Sequence, residues 1–158
     1  MGLNAYMTIE GDTSGLIEGS STASGHEGQI EVNAYTHVLS TEVDAASGLP
    51  IATQHHDVSI TKPTDAATVP LYAAFSENEA LTVVIRFYQP LPSGAVVNMF
   101  TVQLEGAYIT TREAALLNNT YLENAILPPF EVVQLRYDRI TWTWEDGAVS
   151  GSDTRPPP

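Results

Sequence analysis

The 158-residue chain contains no cysteine. Disulfide frameworks, thiolate zinc sites and cysteine nucleophiles are excluded, leaving His, Asp and Glu as the ligating side chains. Basic residues are scarce: six Lys and Arg stand against nineteen Asp and Glu, for a formal charge of −13. Such a chain opposes a phosphate backbone and has few cations to displace its counterions, so no nucleic-acid partner is expected. The same charge repels copies of the chain at long range. Self-assembly must therefore rest on shape, backbone pairing and apolar contact, and should strengthen with salt. Long hydrophobic runs are missing too. Nothing approaches the ~20 apolar residues of a membrane span, and the opening MGLNAYMTIEG lacks the basic and apolar regions of a signal peptide. Gly2 is followed by Tyr6 where a myristoylation signal wants Ser or Thr. The expectation is a soluble protein made in the cytosol, with no membrane insertion. A chain of this length buries most of its apolar surface without a metal or disulfide, so its stability calls for no cofactor.

What is present is alternation with period two. AYMTIE, Ala5 to Glu10, predicts a strand, and the Gly- and Ser-rich stretch Ser14 to Gly28 predicts a loop. From Gln29 a half-buried strand is expected, with Ile30, Val32, Ala34 and Val38 on one face and Glu31, Asn33, Tyr35 and His37 on the other. Ser40 to Gln54 has no sustained period and reads as a long excursion between strands. Val58 and Ile60 restore the alternation up to Pro63. Leu71, Ala74 and Phe75 then follow a helical spacing, with Thr68 as N-cap and Pro70 in the first turn. LTVVIRFYQ and AVVNMFTVQLEGAYITTRE, joined at PLPSG, form a hairpin with Val96, Phe100, Val102 and Leu104 in phase, and Gly106 marks a bulge. ALLNNTYLENAILPP is a second irregular connection. In the last run Val133, Leu135 and Tyr137 occupy one phase and Ile140, Trp142 and Trp144 the other, so a bulge or a change of sheet is expected near Asp138. The sum is a mainly β fold, an antiparallel β-barrel or sandwich with one short helix and a long extended loop. Residues 1–146 form its one domain, and 147–158 a polar, disordered tail.

Chemistry is harder to find. TQHHDVSITK, Thr53 to Lys62, places two histidines and an aspartate at the mouth of a strand. Adjacent strand residues point to opposite faces, so His55 and His56 cannot share a metal, and His26 and His37 have no ligand spacing relative to them. No nucleophile elbow, phosphate loop or His-Glu-x-x-His pair is present. Three function classes stay open on the residues alone. They are an assembly subunit, a carbohydrate-binding module using Tyr137, Trp142 and Trp144, and an enzyme using His26, His55 or His56.

Four segments in order carry a resemblance: AYMTIEGDTSGLI, GHEGQIEVNAYTH, DVSITKPTDAATVPLYAAF with its Thr-Lys pair and Pro-Leu-Tyr helix, and LRYDRITWTWED with its Tyr-x-x-Ile-Thr-Trp strand. Together they resemble the haemolysin-coregulated (Hcp) proteins that build the tube of the bacterial type VI secretion system, over nearly the whole chain. Val69 departs from the Ser of many members. The resemblance implies a β-barrel subunit, without enzyme activity or cofactor, that closes into a six-membered ring. Rings stack into a hollow tube expelled with its effectors by a contracting sheath. The implied partners are further copies of the chain, the effectors, and the sheath and spike proteins, and the implied route is from the cytoplasm to the exterior without a signal peptide. A tail-tube protein of a phage-like contractile particle shares this architecture. The excursion corresponds to the family's extended loop, which gives Val43, Asp44, Leu49, Pro50, Ile51, His55 and His56 as the expected ring-stacking and subunit-interface residues.

Overall fold

The computed structural model describes residues 4–157; Gly2 of the myristoylation pattern lies outside them. The chain order is β1 (Asn4–Gly11), β2 (Gly15–Ile17), β3 (Ile30–Val32), β4 (Ala34–Thr36), β5 (Leu39–Val43), β6 (Pro50–His55), β7 (Val58–Pro63), α1 (Thr68–Glu77), β8 (Leu81–Pro90), β9 (Val96–Ala115), β10 (Phe130–Arg136), β11 (Arg139–Trp144) and β12 (Val149–Thr154). The main sheet runs β2-β1-β8-β9-β10-β7-β4, and every pairing is antiparallel.

The barrel is closed by one crossing. β3 pairs with β1 at one margin, β4 pairs with β7 at the other, and the Asn33 N–H between them donates to the Thr61 carbonyl at 2.8 Å. This crossing corrects the expected face assignment. Ile30 and Val32 are buried, but Ala34 and Val38 are exposed, and Tyr35 instead packs on the core opposite Ile60. Changing partner at Asn33 turns the chain over, so the inward phase shifts by one residue.

The strand alternation elsewhere fills the interior. Met7, Ile9, Val58, Ile60, Leu81, Val83, Ile85, Val102, Leu104, Val133 and Leu135 are all buried in one cluster, and α1 adds Leu71 and Ala74. Phe75 stays 38% exposed, and Val96 lies outside the core beyond a register shift at Phe87/Tyr88. Thr68 is not the N-cap. Ala67 holds that position, its N–H bonded to the Asp65 carboxylate, while the Thr68 hydroxyl accepts the Asp65 N–H and donates to Glu131. At the other end of α1, Glu79 accepts hydrogen bonds from the Thr13 and Ser14 N–H groups and the Ser14 hydroxyl. These bonds hold its carboxyl below the ordinary range.

β9 serves two parts of the barrel. Up to Glu105 it lies between β8 and β11; from Tyr108 it pairs with β10. The pivot is Gly106, at φ +59°, where a Cβ would stand 2.4 Å from Asp138 Oδ2. Asp138 is where the last run leaves β10 for β11, and this change of partner explains the phase flip between Tyr137 and Ile140. A Gly106→Ala variant is expected to lose about 1–2 kcal/mol from the left-handed backbone alone, plus the displacement of Asp138. An unchanged thermal midpoint would contradict the pivot.

Two expected irregular segments are ordered differently. Ser40 to Gln54 is a two-stranded hairpin, β5 with β6, hydrogen-bonded as its own sheet. The supposed tail from residue 147 contains β12, paired along β11 from Arg139↔Thr154 to Trp144↔Val149. Its side chains are exposed, so no apolar pattern announces it.

Candidate functional site

The β5–β6 hairpin carries exposed apolar side chains on a sheet of its own. Asp44 closes its loop, with its carboxylate accepting the Ala46 and Ser47 N–H groups and the Ser47 hydroxyl, and its N–H donating to the Leu49 carbonyl. These bonds, the Ser47 hydroxyl foremost, hold the Asp44 carboxyl low. Along this hairpin, Val43, Leu49 and Ile51 are 57%, 64% and 64% exposed, and Pro50 is exposed beside them.

The histidines at its base do not share that role. His56 is exposed, its Nε2 2.9 Å from the Ser40 hydroxyl across the hairpin. His55 is buried, and the expectation that it serves an outer surface is corrected for this subunit. It ends β6 pointing inward, with Nδ1 2.7 Å from Tyr137 Oη and Nε2 3.0 Å from Asp153 Oδ2 on β12. The same phenol oxygen lies 2.7 Å from Nε2 of His37. Arg155, just past β12, faces the Tyr137 ring and binds Asp57 at 2.8 Å, and Asp57 also accepts the Thr110 hydroxyl. Burial pushes the Tyr137 phenol up to about 12, with Asp153 and Asp57 adding to it and Arg155 opposing. At Asp57, burial works against ionisation, but the bonds from Arg155 and Thr110 prevail and hold the carboxyl low. Sequence reading missed this cluster because His55 and Tyr137 lie 82 residues apart and β12 was read as disordered. Its links tie both ends of the hairpin to β12 and to Tyr137 of the barrel.

The other proposed sites come apart. Tyr137 is fully buried, so it offers no face to a sugar ring, and Trp142 packs against the core with only Trp144 half open. His26 stacks on Tyr6 at 4.1 Å and meets the edge of Tyr88 instead of joining His55 or His56. Among the described residues no three His, Asp or Glu side chains are gathered as a metal site.

A second apolar surface lies in the β9–β10 connection, which sequence reading passed over as irregular. Leu116, Leu117, Tyr121, Leu122, Ile126 and Leu127 are all exposed there, Leu122 at 91% and Ile126 at 88%. Exposed aliphatic side chains in this number mark a contact surface.

The family model described as type VI secretion system effector, Hcp, matches residues 6–144. The chain belongs to the Hcp family. It is similar to the "Major exported protein" of Pseudomonas aeruginosa, with 35% identity over 97% of this chain and 95% of that protein. Its fold is similar to the crystal structure of an Hcp protein, with a TM-score of 0.91 and 28% identity over 99% of this chain and all of that one. The Hcp1 protein of the E. coli EAEC 042 pathovar matches at a TM-score of 0.85 and 28% identity, over 97% and 99%. As an Hcp protein, the chain is a structural component of type VI secretion with a β-rich fold.

Proposed function

We propose that this Hcp chain is a tube subunit that closes into six-membered rings, and that the rings stack into the tube that carries effectors outward. The observation that supports this reading is the separate β5–β6 hairpin, whose Val43, Leu49 and Ile51 are exposed and which pairs with no other strand among the described residues. The apolar β9–β10 connection gives a second surface elsewhere on the barrel. Two different surfaces on one subunit make heterologous contacts, which close into rings or repeat along an axis. The hairpin, with Asp44 setting its loop and His56 at its exposed base, serves stacking; the connection serves lateral contact. The sheath, the spike and the effectors are the further partners, and the name of the exported relative supports release from the cell.

Salt provides the test. With a charge of −13 per subunit, like-charge repulsion opposes closure and screening relieves it, the Debye length falling from ~10 Å at 0.1 M to ~3 Å at 1 M. Sedimentation at tens of micromolar is expected to give a ring mass whose share grows between low and high salt. A monomer mass at both would end the ring reading.

A further inference from the structure

Both ends of the hairpin converge on one hydroxyl. His37 precedes β5, His55 ends β6, and each sets a ring nitrogen 2.7 Å from Tyr137 Oη. From this geometry we infer that the His37–Tyr137–His55–Asp153 cluster is an acid-opened latch, which clamps the hairpin to the barrel near neutral pH and frees it when both imidazoles are protonated. The inference does not rest on ring formation.

Proton counting carries the argument. Tyr137 brings one proton, and the Asp153 carboxylate only accepts. With both imidazoles neutral, His55 Nε2–H donates to Asp153, the Tyr137 hydroxyl donates to His55 Nδ1, and His37 Nε2–H donates to Tyr137 Oη. Every link is then made. One added proton also fits. On His37 it leaves the three links unchanged. On His55 it reverses both links to the phenol, so that His55 donates to Tyr137 and Tyr137 donates to Nε2 of His37 in its other neutral tautomer. A second proton has no arrangement: two imidazolium donors meet one phenol oxygen, and the phenol proton loses its acceptor.

The surroundings reinforce the limit. Burial and the facing His55, His56 and Arg155 hold His37 below its ordinary value, against a smaller opposing effect of the His56 backbone. Of the nearby carboxylates, Asp153 faces His55 and so favours the one added proton on that imidazole, while Asp57 is engaged by Arg155 and Thr110 and is not free to balance a second. Tyr137 stays protonated, and Trp142, whose ring lies 6.3 Å from that of His37, carries no charge. A freed imidazole titrates near 6.5, so the closed form is favoured above that pH and loses ground below it. For one extra proton bound by the open form, linkage sets a ceiling of about tenfold in the open population per pH unit.

The test is amide exchange of the full-length chain at pH 7.5 and pH 5.0, corrected for the intrinsic pH dependence of exchange, with mass measured in parallel. Amides of 39–43 and 51–55 are expected to speed up by several-fold or more at pH 5.0, while those of β1 and β8 keep their protection. His37→Gln keeps a donor toward Tyr137 but takes no proton, so its hairpin should stay protected at both pH values. Tyr137→Phe removes the shared oxygen, so its hairpin should exchange quickly at both. Hairpin exchange that is independent of pH in the unmodified chain overturns the latch. So does a full pH response retained in His37→Gln, including one that only tracks a change of mass.

Discussion

Replacing Glu131 with alanine is expected to remove about 3–5 kcal/mol of folding stability, read as a large fall in the denaturant midpoint. Glu131 sits fully buried between two cations. Lys62, also fully buried, places Nζ 2.5 Å from Glu131 Oε1, 2.8 Å from Asp65 Oδ1 and 2.9 Å from the Pro63 carbonyl. Arg112 bonds the other carboxylate oxygen, donates to the Thr68 carbonyl and lies 3.5 Å from the centre of the Tyr72 ring. Two positive and two negative charges thus balance in one dry cluster that fixes α1 to β7, β9 and β10. Without Glu131, one cation stays buried without a counter-charge, and that desolvation is the source of the loss rather than the attraction of the intact pair. The control is Glu105→Ala. Its partner Arg139 lies 3.8 Å away with both side chains about half exposed, so the change should stay within about 0.5 kcal/mol. If the two variants lose equal stability, the buried cluster does not anchor the helix.

What the sequence made legible follows where one face of a strand is buried. Leu81, Val83 and Ile85 alternate with half-open neighbours, and their burial matches the pattern. The phase flip around Asp138 and the bulge at Gly106 were readable for the same reason, since each preserves an apolar set on the core. The crossing at Asn33 was not. Ala34 and Val38 continue the apolar phase of Ile30 and Val32 in the sequence, yet both are exposed and Tyr35 packs inward, because the partner strand changes at Asn33. The hairpin and β12 escaped detection on a different ground. Both are exposed on both faces, and periodicity reports burial rather than backbone pairing. The latch escaped because its members are distant in sequence: His37 and Tyr137 are 100 residues apart, and Asp153 and His55 are 98. Single residues of ordinary type carry no local signal for such contacts. The family resemblance reached further than periodicity here, because it pointed to the extended loop as an arm of the subunit, although it placed both histidines on the outside.

Changing Val43, Leu49 and Ile51 together to serine is expected to abolish ring stacking while leaving the subunit folded. Each side chain is more than half exposed in the subunit, and the hairpin pairs only with itself, so little buried area is lost on substitution. The unfolding midpoint should move by no more than about 0.5 kcal/mol per site, as for other exposed positions. Across a stacking contact the balance differs. A fully buried aliphatic side chain contributes roughly 1.5–3 kcal/mol. At half that value, because part of each is already covered, three such residues supply about 2–4.5 kcal/mol per subunit. Since 1.4 kcal/mol is about tenfold in an equilibrium constant, the loss recurs around the ring and no stable tube should remain. On the proposed assignment of lateral closure to the β9–β10 connection, the variant should retain its ring mass in sedimentation while tubes vanish from electron micrographs and export falls. Tubes of normal length from the triple variant would show that stacking rests elsewhere, on the strand edges or the exposed β12. Loss of the subunit's own cooperative unfolding would show that the hairpin belongs to the fold, since His55 at its base would then have failed to hold the barrel without the arm.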